Sequence, residues 1–131
     1  MTKYLFLCHA NVGRSQMAEA FAKDRGLEAR SAGFKVENPG ESIADYKSLV
    51  RCMEEAGYWK MGRHIRKQVE PYLTEWADKI IVMTEELPEE DIKDYKNKVI
   101  HFPIPDPRAC SERVLCSIRD DIRKLVSRLE K

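Results

Sequence analysis

The sequence predicts an α/β protein, with a four-stranded parallel sheet between two layers of helices. Two observations lead there. Short apolar runs of strand length alternate along the chain with longer stretches whose apolar residues recur at helical spacing. In addition, the first three strand runs are apolar or nearly so on both faces, the pattern of strands covered on each side by helices.

Taken in order, Tyr4–Leu7 reads as a fully buried first strand. A first helix from about Ser15 buries Met17, Ala18, Phe21 and Ala22 and stops at Gly26. Leu27–Ser31 alternates apolar and polar residues, as a second strand nearer a sheet edge does. After a loop marked by Asn38-Pro39-Gly40, a second helix places Ile43, Tyr46, Leu49, Val50 and Met53 on one stripe and ends at Gly57. Cys52 lies beside that stripe and reads as a structural thiol.

Tyr58–Lys67 is irregular and basic, with Arg63, His64, Arg66 and Lys67. Pro71–Ala77 is a short helix with Trp76 packed inward, and Ile80–Met83 is the third strand and the strongest β signal in the chain. Glu85, Glu86, Glu89, Glu90 and Asp91 form a solvated acidic face around Pro88, which suits a first helical position. Val99–Phe102 is the fourth strand. The last helix, from about Ser111 to Leu129, buries Val114, Leu115, Ile118, Ile122, Leu125, Val126 and Leu129 and leaves Asp120 and Asp121 on the surface.

Size and composition bound the function. A chain of 131 residues suits one domain spanning 1–131. Lys and Arg number 23 against 22 Asp and Glu, a net charge of +1, which gives no bulk electrostatic case for nucleic acid or an anionic membrane. The apolar run after Lys3 is too short for a secretory signal, and no stretch reaches membrane-spanning length, so a soluble cytoplasmic protein is expected. Cys8, Cys52, Cys110 and Cys116 contain no C-x-x-C pair and the three histidines are scattered. Neither a metal site nor a cofactor is therefore expected, and reduced thiols are the default.

One stretch carries chemistry. Cys8-His9-Ala10-Asn11-Val12-Gly13-Arg14-Ser15 joins the first strand to the first helix. A loop there can turn successive backbone N–H groups inward as an anion nest at a helix N-terminus. A thiol facing that nest shares its positive potential, which favours the thiolate. The guanidinium of Arg14 adds a planar fork matched to two oxygens of a tetrahedral oxyanion. Ser15 either donates a hydrogen bond to the thiolate or serves as a plain N-cap. Ligands of parallel sheets bind beyond the carboxyl ends of the strands, an edge that both Cys8 and Asp106 follow. Asp106 sits in Pro103-Ile104-Pro105-Asp106-Pro107, either an ordinary Asp-Pro turn or a stiff loop that limits where a catalytic acid can move.

The Cys8–Ser15 loop followed by Met17-Ala18-Glu19-Ala20, together with Ser31-Ala32-Gly33, Asn38-Pro39, His64 and Asp106-Pro107, resembles the low-molecular-weight protein tyrosine phosphatase family over essentially the whole chain. Thioredoxin-coupled arsenate reductases share that fold. The resemblance implies the strand order 2-1-3-4 in a three-layer α/β/α sandwich. It also implies a phosphate loop built from His9, Ala10, Asn11, Val12, Gly13 and Arg14, with Cys8 as nucleophile and Asp106 as general acid. Ser15, Ser31 and His64 take supporting roles, His64 by reaching back to Asn11. The expected reaction is hydrolysis of a phosphomonoester, on a phosphorylated protein or a small aryl phosphate, through a phosphocysteine.

Three departures bear on the substrate. Arg108 stands where the phosphatases usually carry an aromatic wall after the Asp-Pro, so it is either a receiver for acidic groups flanking a phosphosite or simply solvated. Phe34, Tyr46 and Tyr58 are then the candidates for lining the pocket, although core packing is the commoner fate of an aromatic. Gln16 replaces a proline common in the phosphatases and, with the Asp106-Pro107-Arg108-Ala109 run, resembles the arsenate reductase branch. Those reductases, however, pass oxidation to two cysteines after the third strand, where this chain has Met83-Thr84-Glu85-Glu86-Leu87-Pro88. In the alternative reading as an arsenate reductase, with thioredoxin as partner, Cys110 would have to replace that relay as resolving thiol and Cys116 would take the next exchange; otherwise Cys110 is a bystander or a protective partner of Cys8 under oxidation.

Overall fold

The computed structural model describes residues 1–108 and 110–131; Ala109, the last residue of the Asp106–Ala109 run, lies outside the described residues. The chain alternates β1 (Lys3–Cys8), α1 (Arg14–Asp24), β2 (Glu28–Gly33), α2 (Lys47–Glu55), α3 (Pro71–Trp76), β3 (Lys79–Val82), α4 (Glu89–Ile92), β4 (Val99–His101) and α5 (Glu112–Ser127). The strands pair in the order β2-β1-β3-β4, and all three pairings are parallel.

The alternation of side chains along β1 builds both layers. Tyr4 and Phe6 join Ile81 and Met83 in a core with Met17 and Phe21 of α1, Leu49 and Met53 of α2, and Ile118 and Ile122 of α5. Leu5 and Leu7 point the other way, to Ile80, Val82, Leu73 of α3 and Ile92 of α4. Each such fully buried side chain contributes about 1.5–3 kcal/mol through removal of apolar surface from water. Because β1 is central and parallel to both neighbours, Cys8 emerges at the carboxyl edge with a helix starting directly above it.

The structure corrects several element boundaries. The second helix begins at Lys47, so Ile43 and Tyr46 are not on its stripe. Ile43 is buried from a loop instead, where Ser42 forms an antiparallel bridge with Ile65 and the Ile43 N–H donates to His64 O at 3.0 Å, while Tyr46 stays 43% exposed. Pro88 caps the single-turn α4 rather than entering it. Ser111 caps α5, its hydroxyl accepting from the Val114 N–H at 3.2 Å. Val114 itself is exposed, and Arg119 takes a buried place on α5, donating to the Cys52 carbonyl at 2.7 Å. Trp76 is half-buried beneath the Arg30 guanidinium, 4.3 Å from its ring centre.

The largest correction concerns the cysteines. Cys52 and Cys116 form a disulfide between α2 and α5, whereas Cys8 and Cys110 are free. Reduced thiols are the prior for a chain with no spacing signal, but two helices packed side by side bring these two Cα atoms to 5.4 Å. A crosslink spanning 64 residues restricts the unfolded chain enough to contribute about 4 kcal/mol on loop-entropy grounds. We therefore expect a double Cys52→Ser, Cys116→Ser variant to lose about that much in denaturant unfolding, with two titratable thiols in the denatured native chain. Four thiols and an unchanged midpoint would remove the bridge from the account. Among the described residues no helix is long and apolar enough to cross a membrane.

Candidate active site

The loop between β1 and α1 is held in shape from below. Asn11 has a positive φ of 55°, a left-handed conformation that asparagine tolerates better than most residues, and it is fully buried. Its Nδ2 donates to Ser15 Oγ at 2.9 Å and Ser31 Oγ at 3.0 Å, while Oδ1 accepts from the Lys67 N–H at 2.8 Å and Gln16 Nε2 at 2.9 Å. Phe34 and Lys35, following β2, donate their N–H groups to the Cys8 and His9 carbonyls at 3.1 and 2.9 Å. That approach needs glycine at position 33, where a Cβ would lie 2.6 Å from His9 O and 2.8 Å from Asn11 N. With the loop pinned, α1 starts at Gly13–Arg14 and presents its unpaired N–H groups and positive dipole end to the space above Cys8.

The hydrogen bonds behind the loop run in one direction. Gln16, fully buried, uses its amide N–H groups on Asn11 and on the Ile65 carbonyl at 2.8 Å, which leaves Oε1 to accept from His64 Nδ1 at 2.8 Å. His64 Nδ1 therefore carries a proton, and Nε2 accepts from the Tyr58 hydroxyl at 2.6 Å. Burial above all, with Lys67 and Lys23 adding to it and Glu19 opposing, holds the His64 pKa below its usual value, consistent with the neutral ring this pattern requires. At the far end Ser15 accepts from Asn11, so its own hydroxyl proton is free to point at Cys8 Sγ, 2.8 Å away. Tyr58, His64, Gln16, Asn11 and Ser15 thus form a polarised chain that ends at the sulfur.

Two expectations change here. His64 does not touch Asn11; Gln16 stands between them. Ser15 is inside α1 and caps nothing, since Gly13 occupies the N-cap position. Ser31 accepts from Asn11 Nδ2 at 3.0 Å. The role of Gln16 was missed because a glutamine at the third position of a helix carries no signal of burial.

A cavity of about 430 Å³ opens above the loop. Cys8, His9, Ala10, Val12, Gly13 and Arg14 form its floor, whereas Asn11 faces away beneath it. One wall is Tyr46–Leu49 at the start of α2; the other is Asp106–Arg108 with Cys110–Glu112 and Leu115. Of the aromatic candidates only Tyr46 lines it. Phe34 packs edge-on against His9, with ring centres 5.4 Å apart, and Tyr58 serves His64. Arg14 is buried, with Nη1 donating to Ile104 O at 3.0 Å and Met83 O at 3.4 Å. Among the described residues those bonds engage Nη1 alone, and the guanidinium otherwise borders the cavity.

The Asp106 carboxylate accepts the Arg108 N–H on Oδ1 at 2.9 Å and Arg108 Nε on Oδ2 at 2.8 Å. Burial, the largest single influence, pushes its pKa up. The Arg108 hydrogen bonds and the charges of Arg14 and Arg108 together outweigh that and leave it below the ordinary aspartate value. Cys110 is half-buried and free on the same wall, but Cys116, the expected second acceptor of an exchange, is tied to Cys52. Among the described residues no three His, Cys, Asp or Glu side chains converge as metal ligands.

A cysteine sulfur, a guanidinium and a carboxylate bordering one cavity are groups that can bind a tetrahedral oxyanion and exchange a group on it. The family model of the low molecular weight phosphotyrosine protein phosphatases matches residues 3–131. Among solved structures, the YwlE arginine phosphatase of Geobacillus stearothermophilus superposes with a TM-score of 0.85 at 23% identity, over 98% of this chain and 90% of that one. The Erwinia amylovora tyrosine phosphatase amsI gives 0.85 at 20%, over 96% and 89%, and Vibrio vulnificus Wzb in complex with benzylphosphonate gives 0.84 at 19%, over 96% and 94%. At these identities the likeness to solved structures bears on the fold.

Proposed function

We propose, for a chain that belongs to the low molecular weight phosphotyrosine protein phosphatase family, that it hydrolyses aryl phosphates of the phosphotyrosine type through Cys8. Family membership makes it a cysteine-dependent phosphatase; the site residues and the substrate are our reading. The observation that carries it is the Ser15 hydroxyl 2.8 Å from Cys8 Sγ, at the base of a cavity that Arg14 and Asp106 also border.

In the first step the Cys8 thiolate attacks phosphorus opposite the ester oxygen. The P–O bond breaks, and protonated Asp106 gives its proton to the departing phenol. Arg14, the loop N–H groups from His9 to Gly13 and the α1 N-terminus carry the charge on the equatorial oxygens throughout. In the second step water attacks the phosphocysteine, the Asp106 carboxylate takes the water's proton, and the S–P bond breaks to free phosphate. The Ser15 hydroxyl then meets a thiolate again, which makes the sulfur a better leaving group.

The choice of an aryl ester over a phosphorylated guanidine rests on charge. A phosphorylated arginine brings a cationic group to the mouth of the site, where Lys47 and Arg108 already stand. The two carboxylates on the cavity wall each already face a guanidinium, Asp106 that of Arg108 and Glu112 that of Arg51 at 2.7 Å, so neither leaves a net negative charge to balance it. Tyr46, by contrast, lines the opposite wall and brings an aromatic ring that a phenol can pack against. The arsenate reductase alternative keeps one supporting observation, Cys110 beside the same cavity, and it would require thioredoxin as partner. We place the protein in the cytoplasm, where phosphorylated proteins are its substrates.

The discriminating experiment assays the purified protein in parallel on an aryl phosphate, on phosphoarginine, and on arsenate with thioredoxin as reductant. Aryl phosphate turnover well above the other two is expected. Arsenate-dependent consumption of reductant that a Cys110→Ser change abolishes would replace this reading with the alternative.

A further inference from the structure

We propose that Arg108 is the specificity-determining residue of this site, and that it selects phosphotyrosine with an acidic residue beside it through the open edge of its guanidinium. The inference rests on the phosphatase reading and names its substrate class.

The argument starts from the loop. Pro103, Pro105 and Pro107 stiffen the chain around Asp106, so the side chain two residues on projects from a nearly fixed backbone. Arg108 uses its backbone N–H and Nε to occupy both Asp106 oxygens, at 2.9 and 2.8 Å. The guanidinium has a second edge. Among the described residues its Nη atoms make no hydrogen bond, and the side chain is 76% exposed at the mouth of the cavity. A planar fork with one edge on Asp106 and the other open fits a carboxylate.

Other charges at the mouth agree in sign. Facing Asp106 are Cys8 and His9 from the floor, Arg14 from α1, Lys47 from α2, and Cys110 and Glu112 from the approach to α5. Glu112 is paired with Arg51, so an acidic flank meets Lys47 and Arg108 with Asp106 as the carboxylate that competes for Arg108. An exposed ion pair such as Arg108–Asp106 is weak and readily exchanged. When a substrate carboxylate docks on Arg108 it draws the guanidinium away from Asp106, and the acid then holds its proton to higher pH. Recognition of the flank and readiness of the acid are therefore coupled through one side chain.

The test compares two phosphotyrosine peptides, identical except that the residues flanking the phosphotyrosine are acidic in one and alanine in the other. Wild type and Arg108→Ala are measured as kcat/KM across pH. Wild type should prefer the acidic peptide by about two- to fivefold, the upper part of the range for one exposed charge pair. In Arg108→Ala the ratio should fall to about one, mainly through KM on the acidic peptide. The alkaline limb on the neutral peptide should move to higher pH, because Asp106 has lost its guanidinium partner; a merely structural role for Arg108 would leave that limb where it is. A preference that survives Arg108→Ala, or a wild type with no preference, or an unmoved alkaline limb overturns the proposal while the phosphatase reading stands. A folded wild type inert on both peptides overturns the phosphatase reading itself, and this proposal with it.

Discussion

Replacing Cys8 with serine is expected to lower aryl phosphate turnover by at least about 10⁴-fold, the scale on which removal of a catalytic nucleophile acts. The loss is chemical rather than structural. Cys8 Sγ sits at the end of a hydrogen-bond chain whose last donor, the Ser15 hydroxyl, is 2.8 Å away, and a serine hydroxyl fits the same space and accepts the same bond. What it lacks is an ionised form at neutral pH. Arg14, the loop N–H groups and the α1 terminus are untouched, so inorganic phosphate should bind Cys8→Ser with affinity within a few-fold of wild type by calorimetry. Turnover that survives in the variant would remove the phosphocysteine from the mechanism. Phosphate binding lost along with turnover would mean that the sulfur holds the loop together, and the cavity would then need another explanation.

The sequence made the scaffold of this site readable and left its supports obscure, for a physical reason. Tyr4–Leu7, Ile80–Met83 and the α5 stripe bury side chains at fixed periods, and periodicity survives in the sequence. The Cys8–Arg14 loop is likewise local, six residues apart on one turn of chain. Gln16 and His64 are separated by 48 residues, and their contact at 2.8 Å exists only in the folded chain, where the Gly33–Gln68 bridge lays the basic segment beside β2. The Ser42–Ile65 bridge accounts for the late start of α2, since Ile43 is held in a loop beside it. Cys52 and Cys116 lie on stripes of two different helices, and neither stripe reveals that they face each other. Arg108 departs from the family pattern, and the sequence alone could place it on a phosphosite or in solvent with equal ease. The contact at 2.8 Å to Asp106 decides which group it touches.

The second large effect falls on the proton. Asp106→Asn keeps the shape of the side chain, and its one amide oxygen still accepts the Arg108 N–H, so the turn should hold its place while the bond from Arg108 Nε is lost. It cannot supply a proton to a departing phenol. Loss of a positioned acid costs about 10²–10⁴-fold where protonation is needed in the transition state. The size of the loss must therefore depend on the leaving group. On esters of poorly acidic phenols kcat/KM should fall toward the upper end of that range, whereas on esters of strongly acidic phenols, which depart unaided, it should fall far less. The pH dependence has a definite sign. Asp106 is held below the usual aspartate value by Arg108 and Arg14 acting against burial, and the first step uses the protonated form, so the advantage of wild type over Asp106→Asn in kcat/KM must shrink as pH rises above that pKa. In Asp106→Asn any alkaline decline that depends on the acid should vanish, while the acidic limb set by ionisation of the substrate phosphate should remain. Kinetics on a graded series of aryl phosphates across pH separate these cases. An equal loss on every ester with the alkaline limb intact would make Asp106 a residue that shapes the loop, and the acid would have to be sought elsewhere on the cavity wall.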